Sequence, residues 1–420
     1  MYKLSLALTL SLKSWPQSSR RCKITKIAIP FLYNRVGGKP LCQKNIAMCQ
    51  KQHIEWINTI RVFTLLLVIL GHCNYYTINT IHGGIINLTE DGYYCYSFNV
   101  VKTVTRFIYS FHMQVFMALS GMCFSFSKLK YAPFKTLVSK KSKRLLWPFL
   151  LVTTFLSVPL KYIVGYWSNS ASPLYDIFFG QYLMIKGNTH LWFLVALFNI
   201  FVLFFFIHKY FKMTNPIIWG IILILSLYLG PLIGSKIGLG FGASCALKFF
   251  LYFSLGFISF TWFNKTNVRF VIVLSSWILM FICFYLYNKY SNAFDWLSIR
   301  LIRQTIGLIF AIWGVFNMVF TCKHISISRI TTTKTYYLLS KYNFQLYLYS
   351  DPFNYLLILA FIQLWGDNVF HKDTHFLFTY VLRFLTTTML PLTFVFVTNK
   401  IRPKRIIKKD GPIETHHRER

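Results

Sequence analysis

The chain has 420 residues, of which 55% are hydrophobic and 19% aromatic, and its 45 lysines and arginines against 11 acidic residues give a net charge of +34. So apolar a composition excludes an ordinary soluble globular domain and indicates a protein that crosses a membrane several times. The basic residues are concentrated in tails and alternate loops, with no soluble basic module between the apolar segments. The sequence therefore predicts no nucleic-acid partner, and topology and anionic lipid explain the charge.

Runs of mostly apolar residues predict an all-α polytopic bundle with about ten transmembrane helices. The predicted spans are 57–76, 104–127, 145–167, 190–208, 216–233, 245–263, 268–288, 301–320, 338–363 and 376–399. The positive-inside rule then places both termini in the cytosol and predicts a multi-pass protein of the plasma (inner) membrane.

Three regions are expected along the chain. Residues 1–52 are basic and irregular and predict a cytosolic leader, either disordered or the result of a start codon assigned too early, with Met48 as the alternative start. Residues 53–400 form the membrane domain, and 401–420 form a basic cytosolic tail.

The first predicted span carries two ionisable residues, Arg61 and His72, which stand eleven positions apart. Eleven steps of about 100° make about three helical turns, so both side chains share one helix face, roughly 16 Å apart along the axis. Ionisable groups are expensive in hydrocarbon and are functional candidates, with helix packing as the ordinary alternative. With the amino terminus inside, Arg61 lies at the cytosolic end and His72 near the outer end.

Two more histidines fall in the outer half of the membrane, His112 at the start of the second span and His190 at the start of the fourth. Each is either part of a site or an interfacial histidine with ordinary hydrogen bonds. Imidazoles at one depth suit zinc or copper, but the three spans that carry these histidines contain no HxxxH or HxxE spacing and no partner carboxylate. The nine cysteines contain no CxxC pair. No metal site is predicted. Cys73 and Cys95 either pair on the outer side or, as we expect, stay unpaired.

Histidine can take a proton from a hydroxyl and return it, which acyl transfer to an alcohol requires. Arg61 can hold the phosphates of a long donor whose other end reaches His72, and an acyl-coenzyme A has that shape. Lys141 and Arg144 stand at the cytosolic mouth of the third span, where they either bind the same phosphates or contact lipid headgroups. We predict no bound prosthetic group, with acyl-CoA as co-substrate.

The sequence offers further candidate residues for the acceptor side of the site. Arg303 and Arg383 lie just within the eighth and tenth spans, where they either line an acceptor pocket or reach the headgroups. Trp192 follows the fourth-span histidine, and Ser120 lies in the second span. A covalent acyl-serine would need a base beside it, so Ser120 ranks below the histidines.

Several collinear motifs resemble acyltransferase family 3, a family of integral-membrane O-acyltransferases. They are Arg61 to His72 with ten residues between, Phe111–Met113 leading to Leu119–Gly121, Arg144–Phe149, His190–Leu194 and Ser340–Tyr349, spread over about residues 53 to 400. The resemblance implies a ten-helix domain that moves an acyl group, usually acetyl from cytosolic acetyl-CoA, to a hydroxyl of a carbohydrate or related acceptor. It implies that His72 is catalytic and that Arg61 belongs to the donor site.

The chain departs from the family's pattern in places. The family often has Asp where Asn58 stands, Gly where Val62 stands, Pro where Gln114 stands and a second arginine where Trp147 stands. These departures bear on how Arg61 is held and on how the donor phosphates are bound, more than on the reaction class.

The sequence thus predicts an O-acetyltransferase-type membrane enzyme with acyl-CoA, membrane lipid and a carbohydrate or lipid-linked glycan as partners, acting in polysaccharide modification. The alternative is a transporter or flippase in which Arg61 and His72 form a proton or anion site. A nearer rival, the membrane-bound acyltransferases of lipids and proteins, would carry the key histidine in a late helix, and no late span has one at its middle.

Overall fold

The computed structural model describes residues 41–73, 77–78, 85–86, 94–168, 170–185, 190–211, 215–231, 240–291, 300–366 and 371–401. Most of the predicted leader (1–52) and all of the predicted tail (401–420) except Ile401 lie outside these residues. Inside them the chain is helical apart from loops and a two-residue strand pair, β1 (Thr77–Ile78) and β2 (Ile85–Ile86), which is antiparallel with Thr77 opposite Ile86. The predicted all-α membrane bundle is confirmed.

The helices are numbered here in chain order. They are α1 (Leu41–His72), α2 (Tyr96–Tyr109), α3 (His112–Ser125), α4 (Phe134–Lys141), α5 (Trp147–Val152), α6 (Val158–Ile163), α7 (Pro173–Tyr175), α8 (Trp192–Tyr210), α9 (Pro216–Ile224), α10 (Ala243–Lys265), α11 (Phe270–Tyr290), α12 (Arg300–Ile327), α13 (Lys334–Lys341), α14 (Asn343–Trp365) and α15 (Asp373–Ile401). Wider π-helical turns follow α4, α5, α7 and α9 at Ser142–Leu146, Thr153–Ser157, Asp176–Leu183 and Leu225–Leu229, and 3₁₀ turns occur at Lys128–Tyr131 and Arg329–Thr332.

Among the described residues, eight helical stretches are long and apolar enough to cross a membrane, so the expected count of about ten is not confirmed. The stretches are Glu55–His72, Tyr96–Ser125, Phe134–Ile163, Trp192–Tyr210, Ala243–Lys265, Phe270–Tyr290, Leu301–Ile327 and Asp373–Val397. The fifth predicted span is shorter, at Ile217–Leu229. The ninth corresponds to α14, which has 23 residues but carries polar groups such as Asp351 and Asn354 that lower its hydropathy.

Proline explains the wide turns of the third stretch. Pro148 and Pro159 have no backbone N–H, so each removes one helical hydrogen bond from the preceding turn. A π-helical turn immediately precedes the helix that holds each proline, at Ser142–Leu146 and at Thr153–Ser157. The helix therefore continues past both prolines with local widening instead of ending there.

Two glycines allow a close crossing of helices α3 and α10. A Cβ added to Gly121 would collide with the carbonyl oxygen of Phe253, and one added to Gly256 would collide with the carbonyl oxygen of Ala118. Small residues let the backbones of two membrane helices approach this closely. The crossing holds α3, which carries His112 and Ser120, against α10.

Buried side chains form two large clusters. The first includes Phe204 of α8 and Phe250 and Phe253 of α10. The second includes Ile60 of α1 and Phe320 of α12. Because α1 has buried residues in both clusters, the two ends of its Glu55–His72 part are fixed relative to the rest of the bundle.

Candidate active site

Helix α1 carries both Arg61 and His72, as the sequence predicts, and α14 and α15 secure its last turn. The carbonyl groups at the end of a helix lack intrahelical donors. Asn354 Nδ2 donates to the His72 carbonyl oxygen at 2.8 Å, and Tyr380 donates from its hydroxyl to the Leu70 carbonyl at 3.1 Å. Arg383 Nε in turn donates to Asn354 Oδ1 at 3.0 Å. These contacts fix the backbone from which the His72 side chain projects.

The side chain of His72 contacts a carboxylate that lies 279 residues further along the chain. His72 Nδ1 is 2.8 Å from Asp351 Oδ1, and the two residues are 7% and 3% exposed. With Nδ1–H donating to the carboxylate, Nε2 is the basic nitrogen of the neutral ring. A buried carboxylate in this position orients an imidazole and stabilises its protonated form, so the pair suits proton transfer.

His190 contacts the other oxygen of the same carboxylate. Its Nδ1 is 3.2 Å from Asp351 Oδ2, and its Nε2 is 3.2 Å from the Leu348 carbonyl oxygen. That carbonyl lies one helical turn before Pro352, which has no N–H to donate to it. Carboxylate and carbonyl oxygens accept, so both ring nitrogens of His190 face hydrogen-bond acceptors. The same carboxylate thus contacts both histidines, one through each oxygen.

A tyrosine and a lysine complete the surroundings of Asp351. Tyr355 donates from its hydroxyl to Asp351 Oδ2 at 3.1 Å. Lys161 is fully buried, donates from Nζ to Gln181 Oε1 at 3.1 Å and interacts electrostatically with Asp351. Buried charges in membranes pair with one another or face a cavity. The Asp351 carboxylate therefore lies among ionisable groups from α6 and from the residues just before α8.

A cavity of about 220 Å³ adjoins this network. Its wall includes four residues that the sequence predicts for the site, namely His72, His112, His190 and Trp192, which come from α1, α3, α8 and the residues just before α8. His112 Nδ1 lies 2.9 Å from the Ile108 carbonyl oxygen, and the Tyr347 hydroxyl donates to the carbonyl oxygen of His190. Helices distant in sequence thus bring the three predicted histidines to one small space.

The other acceptor-side candidates lie elsewhere. Arg383 is buried behind His72, where it contacts Asn354, and it is not one of the lining residues. The hydroxyl of Ser120 donates to the Phe116 carbonyl of its own helix at 2.9 Å. Arg303 has an exposed side chain on α12 and does not line the cavity.

A second group of charges surrounds Arg61 at the other end of the transmembrane part of α1. Arg61 Nη1 donates to Asn58 Oδ1 at 3.2 Å and its Nη2 to Cys123 Sγ at 3.1 Å. The charge of Arg144 interacts with that of Arg61 and also with that of Lys141. The structure therefore brings together the three cations that the sequence predicts for the donor.

Two departures from the family's pattern fall in this group. Asn58, which stands where the family often has Asp, keeps a hydrogen bond to Arg61 through its amide oxygen. Trp147, which stands where the family often has a second arginine, is 48% exposed. Lys141 Nζ lies 3.2 Å from the ring centroid of Phe201, and this cation–π contact holds the ammonium group near α8.

The described part of the chain contains histidines, acidic side chains and free cysteines that could in principle bind a metal or pair. There, no group of three or more histidine, cysteine or acidic side chains has the geometry to hold a metal ion. Cys73 and Cys95 are both buried free thiols, as expected in preference to a disulfide.

The sequence reasoning missed Asp351, which is the centre of the hydrogen-bond network. The residue lies inside the predicted span 338–363, and it is one of only 11 acidic residues in the chain. An acidic residue inside a transmembrane segment is a functional candidate by default, so this signal was available. The motif Ser340–Tyr349 also ends only two positions before it.

The family comparison agrees with this architecture. The sequence model of the family described as an acyltransferase domain matches residues 54–400, which is most of the chain. The chain therefore belongs to acyltransferase family 3, and with its membrane-spanning helices it is a multi-pass membrane acyltransferase. Neither a curated protein nor a solved structure matches the chain.

Proposed function

We propose that this membrane acyltransferase is an O-acetyltransferase that moves an acetyl group from cytosolic acetyl-CoA to a hydroxyl of a carbohydrate or related acceptor at or across the membrane. The observation that carries the proposal is the buried His72–Asp351 pair at the edge of a cavity. It supplies the base that an alcohol acceptor needs.

The reaction begins with the acceptor hydroxyl beside His72. His72 Nε2 takes the hydroxyl proton as the oxygen attacks the thioester carbonyl carbon, and Asp351 stabilises the imidazolium that forms. The carbonyl then re-forms, the carbon–sulfur bond breaks, and the coenzyme A sulfur leaves with the proton from His72. The products are the ester and the free thiol, and His72 returns to its neutral form.

The donor lies along α1 in this proposal. Arg61, Arg144 and Lys141 bind the phosphates of coenzyme A, because guanidinium and ammonium groups form charge-assisted hydrogen bonds with phosphate oxygens. The pantetheine arm follows the helix over roughly 16 Å, the rise of eleven residues, and brings the thioester to His72. This arrangement needs no prosthetic group and no acyl-serine at Ser120.

The same arrangement argues for the expected topology. A cytosolic donor requires the end of α1 that carries Arg61 to face the cytosol, and the basic residues of the Lys128–Arg144 region agree with that orientation. His72 then reacts near the outer face of the plasma membrane. Family membership disfavours the alternative of a transporter or flippase.

Labelled acetyl-CoA tests the proposal in membranes that contain the full chain. Wild-type membranes are expected to transfer label to an alkali-labile ester on an acceptor, and the His72→Gln variant to lose at least about a hundredfold of that rate because the base is gone.

His208→Gln is the matched control. His208 packs against Phe204 and Phe257, away from the cavity, and its loss should leave transfer near the wild-type rate. A fully active His72→Gln variant, or a wild type that moves substrate without consuming the thioester, would contradict the proposal.

A further inference from the structure

The cavity beside His72 has a wall that the reaction chemistry does not use. Gln114 of α3, Trp192 of α8 and Lys248 and Phe249 of α10 line it opposite or beside the histidines. At about 220 Å³ the cavity is smaller than the roughly 300–1,000 Å³ of pockets that hold drug-sized ligands. It therefore suits a single ring of an acceptor, not a length of glycan.

The charge of this wall is positive. The Lys248 side chain is exposed, with Nζ 5.6 Å from the ring centroid of Phe249, and no carboxylate of the described chain lies within salt-bridge distance of it. None of the described residues that line the cavity is acidic. Asp351 lies behind the histidines, where His72, His190 and Tyr355 contact its carboxylate. An anionic group in the cavity would meet Lys248 without competition from a carboxylate in the wall.

Two further groups fit a polyhydroxylated ring. Gln114 Oε1 is buried and accepts no hydrogen bond from the described residues, so it is an acceptor that lacks a donor. Buried polar atoms are normally satisfied, and a ligand hydroxyl would satisfy this one. The rings of Trp192 and Phe249 have centroids 5.4 Å apart at an angle of 30°, which gives an apolar surface for the C–H face of a sugar.

We propose that this cavity is the acceptor subsite and that it selects a sugar unit bearing an anionic group, a carboxylate or a phosphate, which Lys248 binds while Gln114 accepts from a ring hydroxyl. The inference rests on the proposed function. The acceptor hydroxyl gives its proton to His72, and its oxygen forms the bond to the acetyl carbon. The carbon–sulfur bond breaks, and the coenzyme A sulfur leaves as the thiol.

Matched acceptors test the selectivity directly. Membranes containing the full chain receive labelled acetyl-CoA with methyl glucoside, methyl glucuronoside or glucose 1-phosphate. Wild type is expected to acetylate one or both anionic sugars at least about tenfold faster than the glucoside, since a hydrogen bond to a charged group contributes that much or more. The glucuronoside and the phosphate ester tell a carboxylate acceptor from a phosphorylated one.

Variants of the lysine assign the preference. Lys248→Gln should lower transfer to the anionic sugar about tenfold to a hundredfold more than it lowers transfer to the glucoside. Lys248→Arg should retain most of the preference. Lys209→Gln, which removes an exposed lysine at the end of α8, should behave as wild type.

The outcomes separate this inference from the proposed function. Transfer to the glucoside alone, equal transfer to all three sugars, or an unchanged preference in Lys248→Gln overturns the anionic subsite. So does acetylation of the membranes' own acceptor with none of the three sugars. If wild type transfers label to no hydroxyl acceptor, including the membranes' own, the proposed function fails instead.

Discussion

The two ends of the transmembrane part of α1 differ in how their charges are arranged. At the His72 end one carboxylate, Asp351, accepts hydrogen bonds from two histidines and a tyrosine. At the Arg61 end the positive charges of Arg61, Arg144 and Lys141 interact with one another, and Arg61 donates hydrogen bonds to Asn58 and Cys123.

The difference indicates different tasks. A carboxylate fixed between two imidazoles orients both rings and stabilises the protonated form of a ring that accepts a proton, as proton transfer requires. Cations gathered near one another repel, and a bound polyanion relieves that repulsion. On this account the first end performs the chemistry and the second holds the donor, so mutations at the two ends should affect different kinetic constants.

Asp351→Asn should have the largest effect. The amide keeps the shape of the side chain but no longer enforces the Nδ1–H tautomer of His72 or stabilises its protonated form, so kcat for acetyl transfer should fall about 10²–10⁴-fold. The KM for acetyl-CoA should change little. Steady-state assays with labelled acetyl-CoA in reconstituted membranes measure both constants.

Asp373→Asn is a matched control for that variant. Asp373 is the first residue of α15 and accepts a hydrogen bond from the backbone N–H of Ser97 in α2. It does not line the cavity. It should retain the wild-type kcat. A wild-type kcat in Asp351→Asn would show that the Asp351 carboxylate is not needed for proton transfer by His72.

Arg61→Gln should affect the other constant. Loss of a charge-assisted hydrogen bond to phosphate should raise the KM for acetyl-CoA about tenfold to a hundredfold, with a smaller change in kcat. Wild-type KM should also rise with salt, because screening weakens phosphate binding at the cationic end. An Arg61→Gln variant with an unchanged KM and a lowered kcat would contradict the division between the two ends.

His190→Gln should have an intermediate effect on the chemistry. Glutamine has one amide nitrogen in place of the two ring nitrogens that reach the two oxygens, so either Asp351 or the Leu348 carbonyl loses its donor. A buried acceptor that loses its partner costs about 1–3 kcal/mol, and we expect kcat to fall about tenfold. The KM for acetyl-CoA is the internal control, because His190 lies at the opposite end from Arg61. A rise in that KM with an unchanged kcat would assign His190 to the donor instead.

Trp147→Arg should have the smallest effect, in the favourable direction. The side chain is 48% exposed, so an added guanidinium would act through partly screened electrostatics worth about 0.2–1 kcal/mol. The KM for acetyl-CoA should fall by a factor of about 1.5 to 5 while kcat stays constant. Trp147→Gln controls for loss of the indole, and equal behaviour of the two variants would exclude a charge effect.

The sequence was sufficient to predict the class of fold and to place the candidate base, His72, at one end of the transmembrane part of α1. The spacing of Arg61 and His72 is a local helical relation, and hydropathy finds strongly apolar helices well. Hydropathy located α14 but joined it to α13 as a single span, because it cannot detect the helix break near Tyr342.

The central contact of the site could not be read from the sequence in the same way. His72 and Asp351 are separated by 279 positions, and their pairing depends on how α14 packs beside α1. Pro352 leaves the Leu348 carbonyl of α14 free of a helical N–H donor, and His190 contacts that carbonyl. This contact can be predicted only when the packing of α14 against the start of α8 is known. Arg303 and Arg383 looked equivalent in sequence, yet one is exposed and the other is buried behind His72.

The central claim is that one helix holds the donor at one end and performs proton transfer at the other. Its most direct test is a steady-state comparison of Asp351→Asn, Arg61→Gln and the double variant, with kcat and the KM for acetyl-CoA measured for each. The account predicts a low kcat with normal KM for the first, a high KM for the second, and independent, multiplicative effects in the double variant. A double variant no worse than either single one, or a lowered kcat with an unchanged KM in both singles, would contradict it.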